Sequence, residues 1–241
     1  MNFKISEINA WYKTASGKIN AQLIIDTVNK AFHASHDQNI IYIGPYCLMK
    51  EIISKNYNFN SFYISLDKNA DIKAKIHSLP FQESTVNCVI LVNTLDTEEN
   101  PHAVFREVDR ILTDDGKLII SGFNKISFLG LCSLLPLKSI FRHKKYISIR
   151  RLSDWMSLLS YDVKYIFNVN KIPPVASNKI IKYLNFLNNN IFSKINYFGN
   201  SYIFIARKRT YKHIAIKNWH KKNNIILGKF SKPAINHNYE K

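Results

Sequence analysis

Four places in this chain put polar or conformationally special residues directly after a short apolar run. They are Ile41-Tyr-Ile-Gly44-Pro45-Tyr46, Leu66-Asp67, Asn93-Thr-Leu95-Asp96 and Gly122-Phe-Asn124. Residues so placed line the crevice in which open α/β sheets bind ligands, beyond the carboxyl ends of their strands. An acidic side chain after a second strand can hold ribose hydroxyls, and Asp67 sits where that is needed. Taken alone, Asp67 is more simply a turn residue. The first loop has one glycine and not the G-x-G-x-x-G that lets backbone approach a pyrophosphate, which argues against NAD or FAD. A ligand without phosphates remains compatible. G-x-x-x-x-G-K-[ST] and G-x-S-x-G do not occur, excluding a P-loop nucleotidase and the usual α/β-hydrolase elbow. The eight histidines show no metal-ligand spacing, so no metal site is expected. Cys47, Cys88 and Cys132 are too few and too scattered for a disulfide framework and fit buried thiols.

The elements that would position these residues alternate. The spacing of Ile19, Leu23, Ile24, Val28 and Phe32 predicts an amphipathic helix from Lys18 to His33. Asn39 to Ile43 reads as a buried strand stopped by Gly-Pro, and Leu48 to Lys55 as a helix. Ser61 to Leu66 is a second strand and Asn87 to Val92 a third, continuously apolar as in a parallel strand covered on both faces. Asn100 as N-cap and Pro101 at the first helical position open a helix to about Leu112. Thr113 to Gly116 reads as a turn, and Lys117 to Gly122 as the next strand. Such alternation means βαβ units and a parallel sheet. Further on, Ser153 is expected to cap a helix through Leu159, Tyr161–Phe167 and Ser201–Ala206 to be strands, and Ile180–Ile191 a helix.

The chain has 241 residues, 46% hydrophobic and 21% charged, which suits one folded domain with a sizeable core and excludes disorder as its main state. Its net charge of +17 is unevenly placed. Residues 1–115 hold 11 Lys/Arg and 14 Asp/Glu, whereas residues 116–241 hold 23 and 3. A field of this kind attracts nucleic acid, an anionic surface or an acidic substrate. The basic residues lie singly among Asn and apolar residues, which weakens the nucleic-acid case. The N-terminal stretch has no signal-peptide core, and no run is apolar and long enough to span a membrane. A cytoplasmic location follows as the expectation. Residues 126–137, with Lys138, Arg142, Lys144 and Lys145 after them, could lie on anionic lipid or form a buried lid; the lid is favoured because the segment follows the fourth strand.

Two long blocks are specific. One is Leu79-Pro-Phe-Gln-Glu-Ser-Thr-Val-Asn-Cys-Val-Ile-Leu-Val92; the other runs from Asn100-Pro-His through Arg106-Glu107 and Arg110-Ile-Leu to Gly122-Phe-Asn124. Together they resemble the class I S-adenosylmethionine-dependent methyltransferases, in particular a methyltransferase type 11-like bacterial branch of undefined substrate. Trp11, Thr14 and Gly17 resemble that branch's W-x-x-T-x-x-G, and Arg151-Leu-Ser-Asp-Trp155 its R-L-x-D-W. The resemblance covers about residues 10–210.

The resemblance implies an α/β fold: a Rossmann-like, seven-stranded, mostly parallel sheet with a C-terminal antiparallel strand pair, in a three-layer αβα arrangement. It implies a domain over residues 1–210, with a lid or insertion at about 125–150, and leaves 211–241 as a basic extension. S-adenosyl-L-methionine would be the cofactor. Gly44, Pro45 and Tyr46 would border its methionine part, Asp67 would hold its ribose, and His77, Ser78 and Leu79 would flank its adenine. Asn93 and Leu95 would line the pocket near the sulfonium, Tyr12 would help close it, and Asn124 would face the acceptor. The chain departs from the family in its first loop, in Asn93 where His is frequent, and in Asn87 where Asp is usual.

Methyl transfer from a sulfonium is an in-line displacement in which positioning can supply about 7–11 kcal/mol. No side chain announces itself as a general base, so no catalytic residue is named, and the methyl acceptor stays open. His102 begins a helix and is expected to be structural. The alternative is a non-catalytic methyltransferase-fold binding module that uses its basic half on nucleic acid.

Overall fold

The computed structural model describes residues 2–31, 39–54, 60–66, 68–134, 140–141, 144–173 and 198–209. Residues 1–210 form one compact unit and 211–241 a second, which lies outside the described residues.

Residues whose side chains alternate between two apolar faces build the centre of the sheet. On one face Ile41, Ile43, Val89, Leu91, Leu118 and Ile120 pack under helices that carry Val104, Val108, Leu152 and Trp155. On the other, Ile40, Tyr42, Cys88, Ile90 and Ile119 meet Ile8, Trp11, Ile24, Val28 and Leu48. Central strands buried on both faces must read as continuous apolar runs, which is why Val86–Val92 does.

In chain order the elements are α1 (Ile5–Tyr12), α2 (Ala15–Ala31), β1 (Asn39–Ile43), α3 (Tyr46–Ser54), β2 (Asn60–Ser65), β3 (Ile72–Lys73), β4 (Val86–Val92), α4 (Thr94–Thr97), α5 (Pro101–Ile111), β5 (Leu112–Phe123), α6 (Phe128–Leu134), α7 (Ile149–Leu158), β6 (Tyr161–Val169) and β7 (Ser201–Lys208). The seven strands lie in the order β3-β2-β1-β4-β5-β7-β6. β1 is parallel to β2 and β4, β2 to β3 and β4 to β5, while β7 is antiparallel to β5 and β6. This is the mostly parallel, Rossmann-like sheet with an antiparallel C-terminal pair that the sequence resemblance implies. The strand order reverses between β1 and β4, so the crevice above these two is where a ligand belongs.

Several boundaries differ from expectation. The Thr113–Gly116 turn is absorbed into β5: between the pairs Val86–Leu112 and Cys88–Lys117 the register shifts, and Asp115 takes φ 61° inside the excursion. Helix α7 starts at Ile149, because Ser148 and not Ser153 caps it, its Oγ accepting from Arg151 N at 3.3 Å. The signal was present in the chain. Ile147 before the cap and Leu152 inside the first turns are both buried in one core, as in a hydrophobic staple. Asn100 does cap α5, accepting from Ala103 N at 3.1 Å with Pro101 next. Cys88 is buried, but Cys47 is exposed, contrary to the reading of all three as buried thiols. The expected helix at 180–191 lies outside the described residues. Among the described residues no helix is long and apolar enough to cross a membrane.

The α1–α2 corner explains the W-x-x-T-x-x-G spacing. Thr14 Oγ1 donates to Trp11 O at 2.7 Å and accepts from Gly17 N at 3.1 Å, so one hydroxyl closes the end of α1 and opens α2. The motif is a corner, and its product is a fixed position for Trp11 and Tyr12 over the sheet.

Candidate functional site

The loop after β1 was expected to border the donor. Its carbonyls are met from inside the fold. Tyr42 Oη donates to Pro45 O at 2.9 Å, and Tyr63 Oη to Gly44 O at 3.2 Å. Both phenols are fully buried, and burial raises Tyr42 well above the ordinary range. Tyr46, opening α3, lays its ring 5.5 Å from that of Tyr63. Gly44 is required by close approach: a Cβ there would stand 2.6 Å from Val92 O on the neighbouring strand. Gly44 and Pro45 are both buried. None of Gly44, Pro45 and Tyr46 is among the described residues lining the neighbouring cavities.

The room lies alongside. A cavity of about 520 Å³ opens over the carboxyl ends of β2, β3 and β4. Its walls include Phe3 and Ile5 from the N-terminal arm, Leu66 after β2, Ile76 and His77 after β3, and Glu98 after α4. Burial pushes the Glu98 carboxyl up, with nearby His77 countering it. Of the residues expected around adenine, His77 is here. Ser78 is an exposed turn residue whose N–H donates to Lys75 O at 3.0 Å. Leu79 is in the core, where its N–H donates to Glu107 Oε1 at 2.7 Å and its carbonyl accepts from Arg110 Nη2 at 3.2 Å. Glu107 and Arg110 are paired at 2.7 Å, which holds the Glu107 carboxyl below its usual range. The R-E-x-x-R block therefore clamps the Leu79-Pro-Phe loop. Asp67 lies outside the described residues.

A buried polar chain stands at the tip of β4. Tyr12 Oη donates to Asn93 Oδ1 at 2.6 Å, Asn93 Nδ2 donates to Asp96 Oδ2 at 3.3 Å, and Phe123 N donates to the same oxygen at 3.0 Å. Asn93 takes φ 51°, a left-handed conformation that Asn tolerates better than most residues. Asp96 is 3% exposed, and its carboxyl is pushed up to about 7. Burial is the cause; the Phe123 N–H, the Asn93 amide and the Ile147 N–H oppose it. Its Oδ1 takes no well-formed hydrogen bond. Asn20 Oδ1, Ser121 Oγ and Tyr202 Oη are also buried without one.

Asp96 and Leu95 line a second cavity, of about 230 Å³, with Asn2, His102, Arg151 and Trp155 among its other walls. The rings of His102 and Trp155 are 3.9 Å apart, and the Arg151 guanidinium lies 5.3 Å from the Trp155 ring. His102, expected to be structural, packs on Trp155 and also faces this space. Glu98 lines both cavities, and the arm separates them, with Asn2 on one side and Phe3 to Ile5 on the other. The arm is tied by Asn2 Nδ2 to Glu98 O at 2.6 Å and Phe3 N to Asp96 O at 3.3 Å. Lys144 secures it, donating to Asn2 O at 3.1 Å and Glu7 Oε2 at 2.6 Å. Lys144 thus faces inward, not toward an anionic surface. Asn124 spends its side chain on Gly199 O and Ile126 N, at 3.0 Å each, and lines neither cavity.

Sequence reasoning placed Asp96 only as the last residue of the polar run after the third strand and gave it no role. It missed the arm and the second cavity, because both form from residues that meet only in three dimensions.

A sheet of this order, with its crevice at the carboxyl ends and a cavity beside the reversal point, is the architecture of a class I methyltransferase. A family model described as a methyltransferase domain matches residues 31–120. The uncharacterized protein YafS of Escherichia coli strain K12 is 31% identical over 173 residues, 68% of this chain and 70% of that one. The uncharacterized protein MJ0638 of Methanocaldococcus jannaschii is 29% identical over 175 residues, covering 67% and 76%. A solved S-adenosylmethionine-dependent methyltransferase from Archaeoglobus fulgidus superposes with a TM-score of 0.56 at 14% identity, over 79% of this chain and 96% of that one. At that identity the likeness is one of fold. The chain belongs to the class I S-adenosylmethionine-dependent methyltransferase superfamily, whose cofactor is S-adenosyl-L-methionine.

Proposed function

We propose that this protein is an active methyltransferase that holds S-adenosyl-L-methionine in the larger cavity and passes its methyl group to an acceptor in the smaller one. The donor, when bound, supplies a methyl carbon activated by a sulfonium. The observation that carries the reading is the 520 Å³ cavity at the ends of β2, β3 and β4, within the range of small-molecule sites. Its chemistry suits a nucleoside: Phe3, Ile5, Leu66 and Ile76 offer apolar walls for a base, and Ser65, His77 and Glu98 offer polar groups at the margin. Asp67, which follows β2, is the proposed ribose partner. Asp96 Oδ1, which takes no well-formed hydrogen bond, adds an acceptor at the wall of the smaller cavity, compatible with a cationic ligand. Tyr12 and Asn93 line neither cavity; bonded to each other, they hold Asp96 at the wall of the smaller one. The arm walls the larger cavity through Phe3 and Ile5 and is tied down by Lys144.

Calorimetry with S-adenosylmethionine and S-adenosylhomocysteine tests this. Saturable heat is expected, and none at millimolar ligand would refute it. A second reading is favoured by the tyrosine-filled β1 loop together with the 23 basic residues of the second half: a methyltransferase fold used to bind nucleic acid. It requires RNA or DNA binding that weakens steeply with salt, with no donor binding. The methyl acceptor is proposed to be a small molecule or side chain, as the 230 Å³ of the second cavity admits little more.

A further inference from the structure

We infer that Asp96 is the proton acceptor of the methyl-transfer step, and that the acceptor is therefore an oxygen or nitrogen nucleophile still carrying its proton at neutral pH. The inference rests on the functional reading above. Three geometric facts carry it. Asp96 lines the smaller cavity, and its backbone carbonyl holds Phe3, a wall of the larger one. Its Oδ2 is fixed by Phe123 N and Asn93 Nδ2, while Oδ1, on the carboxylate that the Ile147 N–H also approaches, takes no well-formed hydrogen bond and is the oxygen with room for a proton. The tip of β5 is a glycine for their sake: a Cβ on Gly122 would meet Asp96 Oδ2 at 3.2 Å and collide with Tyr202 Oη, so carboxyl and phenol pack together over that residue.

The step balances. A lone pair of the nucleophile attacks the methyl carbon, the carbon–sulfur bond breaks with its electrons left on sulfur, and the nucleophile's proton passes to Asp96 Oδ1. A carboxyl held near 7 can accept that proton and return it to water at neutral pH. The ionisable groups around it are Tyr202 on β7, Tyr12 through Asn93, Glu98 and Glu99 after α4, His102 on α5, Lys145 and Tyr146 before α7, and Arg151 on α7.

The test needs no knowledge of the acceptor. Sinefungin carries an amine-bearing carbon in place of the methylated sulfonium, so its ammonium occupies the place of the transferred methyl. Its affinity relative to S-adenosylhomocysteine is measured by calorimetry from about pH 5.5 to about pH 8. An ionised carboxylate facing that ammonium raises the ratio about tenfold or more as pH passes through 7. In Asp96→Asn the ratio is flat; in His102→Gln the rise persists. A flat ratio in the wild-type protein, with both ligands bound, overturns the role of Asp96 and leaves the donor site standing. A rise that vanishes in His102→Gln also overturns it. Failure of both ligands to bind overturns the methyltransferase reading itself.

Discussion

The tips of β1 and β4 are neighbours in the sheet and opposite in character. At β1, phenol hydroxyls from Tyr42 and Tyr63 satisfy the two loop carbonyls. At β4, the chain Tyr12–Asn93–Asp96 is equally buried yet ends on an oxygen with no well-formed hydrogen bond. A buried polar group that is satisfied contributes to stability, and one that is not costs stability. The fold thus holds its strain at β4 and its packing at β1. The two tips thus differ in how their buried polar groups are satisfied, although both are closed off from solvent by the same sheet.

The largest expected effect breaks this comparison from the β4 side. The Asp96 carboxyl is raised from 3.8 to about 7 in the folded state, so the unfolded chain ionises first as pH rises. Its contribution is therefore neutral below about pH 4 and increasingly unfavourable up to about pH 7, on the order of 4 kcal/mol. Asp96→Asn removes that slope. Denaturation of both proteins at several pH values should give curves that coincide in acid and diverge toward neutrality, with the variant more stable; a constant difference would contradict the buried carboxyl.

Next comes Gly44→Ala, which presses a methyl group onto Val92 O. A loss of roughly 1–3 kcal/mol is expected, as for overpacked cores. If the β1 loop is packing alone, donor affinity measured above the variant's losses should be unchanged. Tyr12→Phe leaves Asn93 Oδ1 buried without its donor and should cost about 1–3 kcal/mol, with donor affinity falling as well. Tyr63→Phe is the smallest, about 0.5–1.5 kcal/mol for a 3.2 Å bond, with no change in donor affinity. Equal effects of the two phenol deletions on donor binding would erase the distinction between the strand tips.

How much was legible differs by kind of residue. The central strands could be read because burial on both faces demands apolar runs, and α5 because Asn100-Pro101 is a capping signal that acts within four residues. Arg106-Glu107 and Arg110 were legible as a motif but not as a clamp, since their target, Leu79, lies 31 residues from Arg110. Gly44 was singled out correctly as a special position, for a reason the sequence could not supply: the neighbour it must avoid is a carbonyl of β4. Asn124 was placed at a strand end, yet its amide serves Gly199, 75 residues away.

Periodicity, caps and turns act between residues close along the chain, so the sequence alone determined the alternating elements, the buried parallel strands and the crevice at their carboxyl ends. Which phenols seal one strand tip, which oxygen is left bare at the other, and where two cavities open were decided only when α1, β4, β5 and β7 converged. Those properties follow from desolvation and packing, which depend on what surrounds an atom in space and not on its neighbours along the chain.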